Sequence, residues 1–407
     1  MTAVITGIGV VSAFGAGATR FWDGICSGVS AVRSIESFDA STFPVTVAAE
    51  VPGNIVADCP VSVHQRDRKV VFALRAAEQA LQQAGIAGLR GAVELSLGLG
   101  LETALLDDFS LLSNGDIDWP AAASRAGTAM PRLRTPADLA AQQLVGELGI
   151  GGVHFLHMSA CAAGAAAVAC AASLIARGRS SMVLCGGTDS MINPLGLGGM
   201  ARLGATSPRA TADACRPFDL HRDGLAMGEG AAMFVVESAA AALARGAPVL
   251  AKITGWGSTQ DAYKATAPRP DGSAAVAAMQ RALQRARLEP AQIDYINAHG
   301  TGTPLNDVTE ALAIRQVFGN AADNLPVSSI KGAIGHAMAA AGALELAACA
   351  MALGAQRVPG TTHLQTFDPA CPISVVPAGV RDVALRRVMS NSFGFGGHNA
   401  VVVLEAP

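Results

Sequence analysis

Three side chains in this sequence are of types that could carry covalent chemistry together. Cys161 lies where the apolar run from Val153 to Met158 meets a helix expected from Ala162 to Arg177, so its thiol sits at the first turn of that helix. The unpaired N–H groups and positive dipole end there favour a thiolate and should lower the thiol pKa. Small neighbours, Ala160, Ala162, Ala163 and Gly164, leave room for a substrate. His299 opens the run His-Gly-Thr-Gly-Thr after a strand expected from Ile293 to Ala298, and His336 follows Lys331-Gly-Ala-Ile-Gly at the start of a second Ala-rich helix. Taken singly, each of the three reads more readily as a packed structural residue. Together, at equivalent strand-to-loop positions, they can do more: a thiol can attack a thioester, and two imidazoles can hold an enolate oxygen as charge develops on it.

The elements that must position these residues occur twice in the chain. Val4-Ile5-Thr6-Gly7-Ile8-Gly9 matches Lys252-Ile253-Thr254-Gly255-Trp256-Gly257, an apolar strand opening that runs into spaced glycines. The amphipathic stretch from Ala80 to Ile86 echoes that from Ala282 to Leu288, and the strands that follow end at Gly100-Leu-Glu-Thr103 and Gly300-Thr-Gly-Thr303. A loop into a small-residue helix comes next, at Ser159 to Gly164 and at Gly335 to Ala340, and each half closes on a β-rich run, Gly228 to Glu237 and Gly396 to Glu405. Five matches in one order indicate a duplicated unit. Alternating strands and helices imply an α/β fold of βαβ units with a mostly parallel sheet buried on both faces. The expectation is two similar halves, with helices sandwiched between and outside two sheets, and polar residues near the pseudo-twofold axis converging on one site.

Composition narrows the partners. At 407 residues and 51% hydrophobic the chain can bury a large core, while a net charge of −3 with 15% charged residues leaves no basic footprint for nucleic acid. The apolar N-terminus has no positive residue before Arg20 and reads as a first strand rather than an export signal. Two Ala- and Gly-rich stretches, Ala160 to Ile175 and Ala337 to Leu353, are short of a membrane span and built from small residues, and the second carries Glu345, so both read as buried helices. The cysteines form no CxxC pair and no zinc-like cluster, as expected of a reduced, cytoplasmic protein without a metal.

Four segments resemble the signatures of the elongating β-ketoacyl-acyl-carrier-protein synthases, the type I/II group of the thiolase superfamily that includes type II polyketide ketosynthases. They are Ser-Ala-Cys161-Ala-Ala-Gly, His299-Gly-Thr-Gly-Thr-Pro-Leu-Asn-Asp, Lys331-Gly-Ala-Ile-Gly-His336 and Asn391-Ser-Phe-Gly-Phe-Gly-Gly-His-Asn399, and the likeness spans essentially the whole chain. The resemblance implies a thiolase-like fold layered α-β-α-β-α, with a half at 1–245 carrying the nucleophile and a half at 246–407 carrying both His. It implies a decarboxylative Claisen condensation in fatty-acid elongation, or the same chemistry in polyketide or polyene synthesis. Cys161 takes the acyl chain, His299 and His336 bind the malonyl thioester carbonyl, and Lys331 and Glu310 match a supporting charged pair that organises the site. The oxyanion hole comes from the N–H groups of Cys161 and Phe395, and Phe395 gates the acyl pocket.

By the same comparison Thr301, Thr303 and Thr266 hold the phosphopantetheine arm of an acyl carrier protein, and Met200, Leu105 and Leu106 line the acyl pocket. No separate cofactor is implied, and the chain is expected to work as a homodimer or beside a chain-length-factor-like subunit. A thiolase would carry a second Cys where this chain has His398, and a chain-length factor would lack the nucleophile. An initiating synthase would show Cys-His-Asn chemistry instead of two His. The segment from Glu102 to Pro136 departs from the fatty-acid enzymes, and His157, four residues before the nucleophile, reads as a packed or hydrogen-bonded residue.

Overall fold

A computed structural model describes residues 1–57, 67–88, 93–100, 118 and 139–407. Its main elements in chain order are β1 (Ala3–Ser12), α1 (Arg68–Gln83), β2 (Glu94–Leu99), α2 (Leu139–Leu148), β3 (His154–His157), α3 (Ala163–Ala176), β4 (Met182–Ser190), α4 (Pro194–Arg202) and β5 (Met227–Ser238). They continue with β6 (Ala251–Gln260), α5 (Ser273–Ala286), β7 (Tyr295–Asn297), α6 (Pro304–Phe318), β8 (Pro326–Ser328), α7 (Ala341–Ala355), β9 (Ser374–Val375), β10 (Arg387–Gly394) and β11 (His398–Glu405).

Strand alternation decides the layering, because successive side chains point to opposite faces. In β5, Ala232, Phe234 and Val236 pack with α3 and α7, while Ala231, Met233 and Val235 pack with α1 and α2. In β11, Ala400, Val402 and Leu404 join the same α3–α7 cluster, and Val401 and Val403 face α5 and α6. Both faces of each half are therefore covered, and α3 and α7 form the shared middle layer of an α-β-α-β-α arrangement. The span Met338–Ala355, ending in α7, is the one helical stretch among the described residues long and apolar enough to cross a membrane, and 83% of it is buried inside the fold. It is a core helix.

Two features of the sheet differ from the sequence expectation. The strands form one sheet, in the order β9-β8-β7-β10-β11-β6-β1-β5-β4-β2-β3, instead of two. The halves join where β1 pairs antiparallel with β6, Ala3 opposite Ile253 and Ile5 opposite Ala251. This pairing satisfies backbone groups that two separate sheets would leave at open edges. The sheet is also mixed: parallel at both ends, antiparallel through the centre from β10 to β4. One cause is local, since β10 turns straight into β11 through Phe395–Gly397, and a hairpin can only be antiparallel.

The duplicated glycines have a packing reason. A Cβ on Gly7 or Gly9 of β1 would fall on the backbone carbonyls of Ala80 and Ala76 in α1. Gly255 and Gly257 of β6 stand in the same relation to Ala282 and Ala278 of α5. Strand and helix touch backbone to backbone in both halves, which only glycine permits.

Candidate active site

The position of Cys161 is built by a strained turn that also occurs twice. Cys161 sits in a 3-10 turn, Ala160–Ala162, that feeds α3, and Ala160 is held at φ 48. In the second half the turn Met338–Ala340 feeds α7, with Met338 at φ 45. Left-handed backbone at a non-glycine residue persists only where its surroundings hold it. The packed α3–α7 layer does so here, and it sets the thiol and the loop after His336 against each other.

Cys161 Sγ and ring nitrogens of His299 and His336 all lie within 4.8 Å of one another. All three residues are buried, and the two imidazoles meet edge to face with centroids 5.3 Å apart. Each ring has its Nδ1 occupied by a donor. Met338 N–H donates to His336 Nδ1 at 3.1 Å, and the Lys331 ammonium approaches His299 Nδ1 at 3.3 Å. An Nδ1 that accepts leaves the ring proton on Nε2, so each neutral ring carries its donor there. Burial holds both imidazoles well below the usual His range, helped by the Lys331 charge, so they are uncharged at neutral pH. Two Nε2–H donors suit an oxyanion. They offer no lone pair to a cation, so this Cys/His2 cluster does not fit a metal ion.

The backbone around Cys161 adds a second donor pair. The backbone N–H of Phe395 stands near the Cys161 sulfur and favours its thiolate. A Cβ on Gly394 would stand 3.0 Å from Cys161 N and 2.9 Å from Ser159 O, so only glycine lets the β10–β11 hairpin come this close. The N–H groups of residues 161 and 395 thus converge beside the thiol.

The thiol itself corrects one expectation. Its place at the start of α3 is as predicted, yet burial pushes it up to about 11, and the Lys331 charge and Phe395 N–H only partly offset this. Desolvation outweighs the helix terminus because no cation among the described residues touches the sulfur and both His are neutral. The resting residue is a thiol. Alkylation of Cys161 by iodoacetamide should therefore accelerate about tenfold per pH unit through the range 7 to 9, as the thiolate fraction of a group titrating near 11 grows. A rate already level at pH 8, followed by intact mass, would show that the resting thiol is ionised.

A second correction concerns the charged support. Lys331 forms its ion pair with Glu345, not with Glu310, and both partners are 1% exposed. Lys331 Nζ also donates to the His299 carbonyl, so one ammonium holds both ends of that residue. Glu310 instead accepts from the backbone N–H groups of His299 and Gly300, each at 2.8 Å, and from Asn391 at 3.2 Å. Burial pushes Glu310 and Glu345 each up to about 7. Sequence reading overlooked Glu345 as a site residue, although the signal was present: a lone carboxylate in an Ala-rich helix requires a buried cation. It also overlooked Asp307, which folds the His-Gly-Thr-Gly-Thr turn by accepting from Thr301 N–H at 3.0 Å and Phe218 N–H at 2.8 Å.

A cavity of about 380 Å³ opens onto the thiol. Cys161, His299, His336 and Glu310 lie along it with Phe395, and Thr266, Thr301 and Thr303 line it as well. The Thr301 and Thr303 hydroxyls are 2.8 Å apart. Met200, from α4, packs with Cys161, Met338 and Leu225 on its apolar side. Leu105 and Leu106 lie outside the described residues. His157 hydrogen-bonds Ser96 at 3.0 Å across β2 and β3, the packed role expected of it.

Comparison with known proteins agrees with this geometry. Family models for the N-terminal and C-terminal domains of β-ketoacyl synthases match residues 2–242 and 250–365. A protein of Streptomyces cyaneus assigned as polyketide β-ketoacyl synthase 1 is 38% identical, covering 99% of this chain and 97% of its own. A 3-oxoacyl-[acyl-carrier-protein] synthase 2 of Staphylococcus aureus is 35% identical over the same shares. Among solved structures, the ishigamide ketosynthase/chain length factor superposes with a TM-score of 0.87 at 34% identity, covering 100% of this chain and 99% of that one. With both domain models matched in order and relatives of this identity aligned end to end, the chain belongs to the β-ketoacyl synthase family.

Proposed function

We propose that the protein is the catalytic subunit of a condensing enzyme that joins an acyl chain on Cys161 to malonyl-acyl-carrier-protein with loss of carbon dioxide. The observation that carries this reading is the two His rings, each with its Nδ1 occupied, lying within 4.8 Å of one thiol at the cavity. In the first half-reaction the Cys161 sulfur attacks the acyl thioester, the N–H groups of residues 161 and 395 take the oxyanion, and the carrier thiol leaves with the cysteine proton. In the second, the malonyl thioester oxygen sits between His299 and His336. Breaking the carboxylate bond releases carbon dioxide and leaves an enolate whose charge the two donors stabilise. The enolate carbon then attacks the acyl carbon, and the Cys161 sulfur departs.

Lys331 and Glu345 organise His299, Glu310 and Asp307 shape its turn, and Phe395 gates the cavity. Thr266, Thr301 and Thr303 hold the phosphopantetheine arm, and Met200 bounds the acyl pocket. The halves at 1–245 and 246–407 contribute the nucleophile and the His pair. The only prosthetic group required is the one carried by the acyl carrier protein, and the enzyme acts in the cytoplasm as a homodimer or with a chain-length-factor-like partner. Fatty-acid elongation is one setting. Polyketide or polyene synthesis is the second reading, favoured by the likeness to the Streptomyces synthase and to the ketosynthase/chain length factor structure.

Intact-mass spectrometry with a panel of acyl carriers, followed by malonyl carrier, tests both. The expected result is an acyl mass on Cys161 that clears on adding malonyl carrier, with a product two carbons longer, and the preferred acyl group tells the settings apart. A folded protein that accepts no acyl group from any donor, alone or with a partner subunit, would overturn the reading.

A further inference from the structure

The steps above give no role to Asp189, a buried carboxylate beside the site. Asp189 ends β4 next to Ser190 and is 1% exposed. Its oxygens face backbone N–H groups: Oδ2 accepts from Ala339 at 2.9 Å and Oδ1 from Ser190 at 2.9 Å. Gly100 leaves the space it fills, since a Cβ there would strike the carboxylate. Ala339 follows Met338, the left-handed residue whose N–H donates to His336 Nδ1. The carbonyl of Ala339 is confined from the other side, 2.9 Å and 2.8 Å from where a Cβ on Gly164 or Gly187 would stand. First-half groups therefore hold Ala339 at its N–H and at its C=O.

We propose that Asp189 is a positioning residue for His336. Its carboxylate clamps Ala339 N–H, which keeps the strained Met338 turn in place, keeps Met338 N–H on His336 Nδ1, and so keeps the ring proton on Nε2. The role in turnover rests on the condensation chemistry proposed above. Burial raises Asp189 to about 6, so the group is a carboxylate at pH 7.5 and can accept from both N–H groups. Its negative charge also disfavours the Cys161 thiolate. Removing that charge should thus act in opposite directions on the two half-reactions, a pattern that general loosening of the fold does not produce.

The test uses Asp189→Asn, which keeps the shape but leaves one oxygen and one N–H donor to face the two backbone N–H groups of Ala339 and Ser190. In a Cys161→Gln background, malonyl-carrier decarboxylation should fall at least about tenfold. In the single variant, acylation of Cys161 should proceed at the wild-type rate or faster. Nitrogen-15 spectra of histidine-labelled protein should show His336 leaving the pure Nε2–H tautomer. Should Asp189→Asn not fold, Asp189→Ser, too short to reach Ala339, is read in the same way. An unchanged His336 tautomer with unchanged decarboxylation would overturn the proposal, as would equal losses in both half-reactions that track a loss of folded protein by circular dichroism. Wild-type protein that neither acylates nor decarboxylates would sink the proposed function, while the His336 tautomer in the variant would still decide the role of Asp189.

Discussion

Cys161→Ala is expected to bring condensation to background, a loss of at least about 10⁴-fold, whereas Cys161→Gln keeps malonyl decarboxylation and loses chain transfer. The two variants separate what the thiol does from what the His pair does. Alanine removes the only atom that can carry the acyl group. Glutamine places an amide carbonyl where the acyl thioester would stand, within reach of the N–H groups of residues 161 and 395, and leaves both imidazoles on their Nδ1 partners. Because burial holds both rings well below the usual His range, any fall in decarboxylation by Cys161→Gln from pH 8 to 6 should follow protonation of the buried carboxylates Glu310, Glu345 and Asp189, which lie at about 6 to 7, and not the imidazoles. Carbon dioxide release measured across that range checks this. Nitrogen-15 shifts that show either imidazole titrating near 6.5 would mean that the donors are not the neutral pair described. Chain extension by either variant would remove Cys161 as nucleophile.

The second large effect centres on Lys331. Its ammonium is almost wholly buried, with Glu345, the His299 carbonyl and His299 Nδ1 as partners. Lys331→Met should destabilise the protein by about 3–5 kcal/mol in denaturant unfolding, because Glu345 loses its buried cation and must stay charged and unpaired or bind a proton. Decarboxylation should fall by about 100-fold, because His299 loses the donor that fixes its tautomer. The double variant Lys331→Met/Glu345→Leu distinguishes the two losses. Replacing both partners by apolar side chains should restore most of the stability, while activity stays low. Were activity to return along with stability, the pair would be a packing device and the contact with His299 incidental. A single variant within about 1 kcal/mol of wild type would show that water reaches the site.

How much of this was legible in the chain itself differs from element to element. The duplicated glycines were readable because their requirement is local: strand backbone against helix backbone, at Gly7 and Gly9 and again at Gly255 and Gly257. Cys161, His299 and His336 were readable because each stands in a run of small residues at the start of a turn or helix, a composition that packing alone does not demand. The joining of the halves into one sheet was not, since three paired residues of β1 and β6 carry no special residue types. Nor was the partner of Lys331. Glu310 and Glu345 are both carboxylates in helices of the second half, and only the crossing of α7 behind His299 decides which one meets the ammonium.

The sequence by itself determined the side chains that cluster at the site, the repeated unit that presents them, and the family, because residue type and local spacing are properties of a chain before it folds. The tertiary structure alone decided what charge and proton each group carries. Burial, not helix position, makes the resting Cys161 a thiol, and two donors from distant segments, Met338 N–H and Lys331 Nζ, place the imidazole protons on Nε2. Protonation depends on solvent exclusion and on partners far apart in sequence, and neither exists until the two halves close on each other.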